Sequence, residues 1–229
     1  MDFTLFYEKY EALAKAADAA FETIRKGHGD CVTCRTGCAD CCHALFDLTL
    51  VEAMYINDRF RRRYSGEALD RLIEKAATAD RKLAKIKRKA YKRVQEGVDD
   101  SVILEEMAAV RMRCPLLDDS DQCALYEFRP ITCRLYGVPT SINGQAHTCG
   151  LTGFDQGQAY PTVKLEVIQG KLFSLSGELV RAIGSKYTQM ASLLVPLSMA
   201  LITDYTDDYL GISVMQTVPV DPEGGGRHG

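Results

Sequence analysis

Apolar residues follow helical spacing over most of the chain. They recur every three or four positions from Phe3 to Lys26, and again from Leu165 to Ile183 after Pro161. Two further helices are predicted, one from Leu50 to about Arg63 and a longer one that opens at Ser65 and stops near Gly97. Alternating strand patterns are few, so the sequence predicts an all-α, predominantly helical fold.

Short polar motifs predict where two of these helices begin. Thr49 and Glu52 have the spacing of a capping box at the start of the second helix. Asp99-Asp100-Ser101 can cap a further short helix, which leads towards Cys114. We therefore expect the helices after Cys42 to fold back and bring Cys114 close to it.

The longest apolar run extends from Met190 to Ile202 and contains Pro196. Because it has only thirteen residues, it is too short to cross a bilayer and is interpreted as buried core. A helix is predicted from Ala191 to Thr203, with Pro196 in its first turn or at a kink. No membrane partner is expected.

Length and composition favour one domain. The chain has 229 residues, of which 46% are hydrophobic, which is enough for a substantial core. We expect a single helical domain over residues 1–216, with a cysteine-rich core at 31–149, and a flexible glycine-rich tail at 217–229. The N-terminus lacks a basic region ahead of an apolar run, so a cytoplasmic location is expected.

The charge pattern argues against a nucleic-acid partner. The net charge is −3, so no global positive field attracts a polyanion. Eight basic residues lie between Arg81 and Arg93 without an acid. Such a stripe could bind nucleic acid or an acidic partner, but we prefer to interpret it as a solvated helix face. A protein partner is left open.

The nine cysteines form two groups. The first group is concentrated in twelve residues, and the second is more dispersed among proline, arginine and aromatic residues. In a reducing cytosol, clustered thiols hold metal more often than they form disulfides, and thiolates suit both zinc and iron–sulfur clusters. The candidate metal ligands are Cys31, Cys34, Cys38, Cys41, Cys42, Cys114, Cys123, Cys133 and Cys149.

Two arginines near the second group are candidate cofactor-binding residues. Arg129 and Arg134 could bind an anionic group or donate hydrogen bonds to cluster sulfurs, because a guanidinium is always charged and carries several donors. An ion pair with Glu127 or a nearby aspartate explains them equally well. No catalytic residue is assigned.

The two cysteine groups together resemble a known family. The cluster ending in Cys41-Cys42, followed by Cys-Pro-Leu-Leu and by Cys-x-Leu-Tyr-Glu-x-Arg-Pro-x-x-Cys-Arg-x-Tyr, is similar to the YkgJ-type proteins of the CxxCxxCC family, described as zinc- or iron-chelating domains. Flagellin lysine N-methylases are similar members. Cys34 and Cys38 enclose three residues where the family name implies two, so the match places Cys38, Cys41 and Cys42 on the motif.

The resemblance implies a metal-binding protein, and the methylase relatives point to an iron–sulfur centre. We therefore prefer an iron–sulfur cluster to a zinc or iron ion. The alternative is a cluster-dependent enzyme for redox chemistry or S-adenosylmethionine-linked methyl transfer, since Cys34-x3-Cys38-x2-Cys41 has the spacing used by radical enzymes. Removal of the metal is expected to unfold at least residues 31–149.

Overall fold

The computed structural model describes residues 1–212, and 58% of these residues are helical. The prediction of a predominantly helical fold is confirmed, although small sheets are also present. The predicted tail at 217–229 lies outside the described residues. The helices are α1 Thr4–Gly27, α2 Leu50–Arg63, α3 Gly66–Gln95, α4 Asp100–Ala109, α5 Ile131–Leu135, α6 Leu165–Ala182 and α7 Leu197–Ile202. The strands are β1 Asp47–Thr49, β2 Thr140–Ile142, β3 Gln145–His147, β4 Val163–Lys164 and β5 Leu194–Pro196.

Helix α2 is the centre of the fold. Nine of its fourteen residues are buried, on every side of the helix. Such all-round burial is typical of a helix enclosed by other elements, and α1, α6 and α7 pack around it. Among the fully enclosed side chains are Tyr10, Phe60, Leu179 and Leu201. The apolar core therefore lies around α2, whereas Cys31, Cys114 and Cys123 only border it.

The predicted capping box at α2 is wrong, although the helix bounds are correct. Thr49 occupies the N-cap position, but its side chain makes no capping bond. Glu52 is buried instead, and its Oε1 accepts hydrogen bonds from the Tyr10 hydroxyl at 2.8 Å and the Ile131 amide at 2.9 Å. Because this side of α2 faces α1 and the start of α5, the carboxyl group joins three helices rather than capping one.

The predicted helix over Ala191–Thr203 is also wrong in its first half. Leu194–Pro196 forms β5, which pairs antiparallel with β1 and places Leu194 opposite Thr49. Only Leu197–Ile202 is α-helical, with Pro196 as its N-cap. The residue before a proline is disfavoured in the helical region, and proline lacks the amide of a helix interior. Pro196 therefore starts the helix instead of lying within it.

Helices α3 and α4 form a hairpin that returns the chain to the first cysteine group. The Asp99 side chain accepts a hydrogen bond from the Ser101 amide at 2.8 Å, which confirms the predicted cap of α4. Beyond α4, the Cys114 amide donates to the Cys42 carbonyl at 2.7 Å. The predicted proximity of these two cysteines is confirmed.

A second small sheet leads to the last cysteine. Strands β2 and β3 are joined by Asn143 and Gly144, both at positive φ, as a tight two-residue hairpin requires. Strand β4 pairs with β2 in parallel. After Cys149 the chain folds over the first cysteine group, where the Gly153 amide donates to the Cys31 carbonyl at 2.8 Å.

Candidate metal centre

Thiols from both cysteine groups line a single cavity of about 860 Å³. The two groups are separated by more than seventy residues in the sequence, and the α3–α4 hairpin brings them together. Cys31 is not among the lining residues and instead packs at the border of the apolar core. The eight cysteines at the cavity are Cys34, Cys38, Cys41, Cys42, Cys114, Cys123, Cys133 and Cys149.

Five of these residues, which come from both cysteine groups of the sequence, lie together in space and form what we call the first thiol group: Cys41, Cys42, Cys114, Cys123 and Cys133. Cys41 and Cys42 lie in a 3-10 helical turn, Asp40–His43, and Cys133 lies in α5. The Cys41 thiol contacts those of Cys133 and Cys42, and the Cys42 thiol also contacts that of Cys123. The adjacent cysteines therefore reach different partners within one group.

The contacts shift the pKa values within the first thiol group in opposite directions. Hydrogen bonds from Cys133 and Cys42 lower the pKa of Cys41 to about 3. The contact with Cys42 likewise lowers the pKa of Cys123. Cys42 and Cys133 retain their protons, because their pKa values are raised by the neighbouring thiolates and by burial. Cys41 is thus a thiolate, the form that binds metal, at neutral pH, and the neighbouring thiol shifts Cys123 towards the same form.

Cys114 completes the first thiol group from a more desolvated position. Burial raises the pKa of its thiol to about 12, despite hydrogen bonds from the Leu116 and Leu117 amides that favour the thiolate. A metal ion would have to displace this proton, since the thiolate is the ligand.

The remaining cavity cysteines form the second thiol group: Cys34, Cys38 and Cys149. Burial, and then the proximity of Cys38 and Cys149, raises the pKa of Cys34 to about 11. Burial also raises the pKa of Cys149, whose Sγ accepts from the Leu151 amide at 3.4 Å and lies beside Asp40. This group is continuous with the first, because Cys41 is also near Cys34.

Gly137 allows the Cys34 thiol to occupy its position. A β-carbon on Gly137 would lie 2.1 Å from Cys34 Sγ, far closer than van der Waals contact permits. Any larger residue would push this thiol away from the cavity. Sequence reasoning missed Gly137, because a glycine required for a distant contact has no local pattern.

Arg134 is held by protein groups on every side. Its guanidinium donates to Asp18 at 2.5 Å and to the carbonyls of Glu127 and Arg129 at 2.6 and 3.0 Å. The ion-pair interpretation, with Asp18 as the nearby aspartate, accounts for these contacts. Arg134 thereby fastens α1 to the segment that leads into α5.

Arg129 is the arginine whose charge the thiols experience. It stacks on the Tyr126 ring at 4.2 Å and lies 3.7 Å from Asp18. Its positive charge favours the thiolate forms in both thiol groups, at Cys34, Cys41 and Cys123.

A further arginine, which the sequence did not single out, joins the two walls of the cavity. Arg111 donates to the Asp40 side chain and backbone carbonyl, and to the Tyr136 hydroxyl at 3.0 Å. Asp40 precedes Cys41, and Tyr136 follows α5. The contact therefore couples the turn carrying Cys41 to the helix carrying Cys133.

The donor set suits a soft metal centre, but it is not preassembled. Within residues 1–212, no three cysteine, histidine, aspartate or glutamate side chains are arranged to hold a metal ion as they stand. Eight thiols in one cavity are nevertheless the ligand type that zinc and iron–sulfur centres use. Metal loading would require proton loss from the thiols that become ligands.

Comparison with known families agrees with this chemistry. The family model CxxCxxCC, described as a "putative zinc- or iron-chelating domain", matches residues 33–150, slightly more than half of the chain. The chain therefore belongs to the CxxCxxCC family, and metal binding is the function that membership supports. The matched range begins after Cys31, which is also the cysteine that does not line the cavity.

The other two comparisons add no relatives. No curated protein and no solved structure matches the chain. Among residues 1–212, no helix has the length and apolar character needed to span a membrane.

Proposed function

We propose that the chain holds an iron–sulfur cluster through ligands drawn from the first thiol group. The observation that carries this proposal is the convergence of eight thiols on one cavity. A structural zinc ion is closed by four ligands, so eight thiols exceed the needs of a single zinc site. The surplus favours a centre with more than one metal.

The size of the cavity supports the same proposal. At about 860 Å³ it falls within the range of roughly 300–1,000 Å³ that small-molecule and cofactor pockets occupy. One ion with four thiolates would fill only a fraction of that space. A cluster with its inorganic sulfides uses more of it, and the second thiol group extends the donor set beyond the four ligands that a cluster needs.

Within this proposal the chain's own residues tune the centre. Arg129 places a positive charge near the thiolates and offsets part of the negative charge that cysteine ligands bring. Arg111 and Arg134 act on the scaffold, since their donors are occupied by protein oxygens and by Tyr136. Arg111 holds the turn that carries Cys41 close to the end of α5, and Arg134 holds α1 against the segment that leads into α5.

A cluster-dependent enzyme is the second candidate, and the cavity lining favours it. Besides the thiols, the cavity is lined by charged side chains that a closed structural site would not need, including Arg25, Arg35 and Asp121. The test is calorimetric titration of the anaerobically purified protein with S-adenosylmethionine. Absence of heat would remove the methyl-transfer version of this candidate.

The principal experiment is anaerobic purification followed by iron, zinc and acid-labile sulfide analysis with absorption spectroscopy. We expect a brown protein with iron and sulfide in similar amounts. A colourless protein that contains zinc would overturn the cluster and leave the metal-binding function intact.

A matched pair of variants tests the ligand assignment. Cys133→Ser removes a thiol that contacts Cys41, and we expect it to lose most of the bound metal. Cys31→Ser changes a cysteine that does not line the cavity, and we expect it to keep the wild-type metal content. Equal metal content in the two variants would contradict the assignment.

A further inference from the structure

Helix α3 carries a row of cations that form no ion pair with the acidic residues of the described range, 1–212. Of the eight basic residues from Arg81 to Arg93, two have acidic partners: Lys87 binds Asp47 at 2.7 Å, and Arg93 pairs with Glu106. The other six are exposed and have no acidic partner among residues 1–212. We call these six the α3 cation row: Arg81, Lys82, Lys85, Arg88, Lys89 and Lys92.

The α3 cation row occupies one face of the helix. At 3.6 residues per turn the six side chains fall within an arc of about 120°, and the row is about 17 Å long. The buried residues of α3, Ala76, Ala79 and Leu83, lie on the opposite side. The row is therefore a continuous surface that faces away from the protein.

Helix stability does not account for this arrangement. Like charges three or four positions apart, such as Lys85 with Arg88 and Lys89, destabilise a helix. Only Lys92 lies in the last turn, where a cation interacts favourably with the helix dipole. A solvated face of the ordinary kind alternates its charges, as Glu67 and Arg71 do near the start of α3.

We propose that the α3 cation row is a docking surface for an acidic segment of a partner protein. The residues that bound the row limit the length of the ligand. Asp70 and Glu74 continue the same helix face on one side, where Arg71 is paired with Glu67, and Glu96 follows on the other. A nucleic acid that extended along α3 would meet these carboxylates, whereas an acidic segment of about 12 residues fits between them.

The composition of the row also favours an acidic protein segment. The row contains no aromatic side chain on which a base could stack, since Tyr91 lies to one side of the arc. It contains no apolar side chain that could insert into a lipid surface. Recognition would therefore depend on carboxylates facing Lys and Arg, which makes it sensitive to salt.

The experiment measures binding of two probes by fluorescence anisotropy at low and physiological salt. The probes are a glutamate-rich helical peptide of about 12 residues and a short DNA duplex. The test variant is Lys85→Gln/Arg88→Gln/Lys92→Gln. The control variant, Lys15→Gln/Lys26→Gln/Lys171→Gln, removes the same charge from exposed positions on α1 and α6.

We expect the wild type to bind the peptide more tightly than the duplex, and the test variant to lose about tenfold in peptide affinity. The control variant should keep most of the affinity. The thermal midpoint of the test variant should not fall, because the like-charge repulsion is relieved. Absent peptide binding, tighter binding of DNA, or an equal loss in both variants would overturn the proposal. None of these readouts depends on the metal centre.

Discussion

The region around α2 and the region around the cysteine cavity are stabilised in different ways. In the first, apolar side chains such as Phe60 and Leu179 are fully enclosed, and the buried carboxyl group of Glu52 has hydrogen-bond donors from two other helices. In the second, short turns and a five-residue helix place eight thiols around a common cavity. Burial of apolar side chains accounts for most of the first region, whereas the second brings together thiols, the ligand type that metal centres use.

The difference teaches that the cysteine segment is not the organising centre of the fold. Helix α2 lies between the two cysteine groups in the sequence, yet it is the element around which the apolar core packs. Cys31, Cys114 and Cys123 border that core. Scaffold and metal centre should therefore respond differently to perturbation.

Removal of the metal is the largest perturbation. We expect residues 31–46 and 110–153 to lose protection in amide hydrogen exchange, because metal coordination contributes on the order of 10 kcal/mol in structural sites. Helix α2 should keep its protection, since nine of its residues are buried and its packing against α1, α6 and α7 does not depend on the metal. The sequence predicted unfolding of at least residues 31–149, and this expectation differs because it leaves out the helices α2 and α3 and extends to residue 153. Simultaneous loss of protection in α2 would show that the two regions form one cooperative unit.

Substitution of Gly137 is expected to have an intermediate effect that is confined to the cavity. Gly137→Ala places a β-carbon where Cys34 Sγ now lies. Overpacking costs about 1–3 kcal/mol in a closed core and less here, because the exposed Cys34 side chain can rotate away from the cavity. We expect a lower thermal midpoint and altered metal content.

Gly170→Ala provides the matched control for this prediction. A β-carbon on Gly170 meets no atom within 4 Å, and the residue lies inside α6. Alanine is the better helix former, so this variant should be slightly more stable and should keep its metal. If Gly170→Ala lowered the thermal midpoint as much as Gly137→Ala, the special requirement for glycine at position 137 would be contradicted.

The smallest effect is expected from the buried carboxyl group of the α2 region. Burial raises the pKa of Glu52 above its ordinary value of 4.5, against the hydrogen bonds from Ile131 and Tyr10. Since the folded state then binds the proton more tightly, its contribution to stability is present below pH 4.5 and is lost as the pH rises through the folded pKa. Because glutamine stays neutral, Glu52→Gln should not lose this stability as the pH rises. The thermal midpoint of the variant should therefore rise relative to that of the wild type between pH 4.5 and 7.

Glu178 gives the opposite sign and serves as the control. Its pKa is lowered by the hydrogen bond from Lys9. The ionised carboxyl group of Glu178 therefore stabilises the folded state at neutral pH, and this contribution is lost as the pH falls. The thermal midpoint of Glu178→Gln, relative to that of the wild type, should therefore be highest in acid. The same pH trend in both variants would contradict the assignment of Glu52.

Helix bounds were predictable where the signal was local. The cap of α4 follows from Asp99, which accepts a hydrogen bond from the nearby Ser101 amide. The bounds of α2 and α3 follow from the spacing of their apolar residues, because neither helix has a side-chain cap. The strand at Leu194–Pro196 was not predictable, because it exists only by pairing with β1. Glu52 was misread for a related reason: its capping pattern is local, but its partners Tyr10 and Ile131 are remote.

The sequence by itself determined the helical class, the two cysteine groups and the family, because periodicity and motif spacing are properties of neighbouring residues. Only the tertiary structure decided which thiols meet. It separated Cys31 from the other eight and divided those eight into two groups. It also showed that Arg134 binds Asp18 of α1, whereas the charge of Arg129 acts on the thiols. These outcomes depend on contacts between residues far apart in the chain, which burial around α2 and the α3–α4 hairpin bring together.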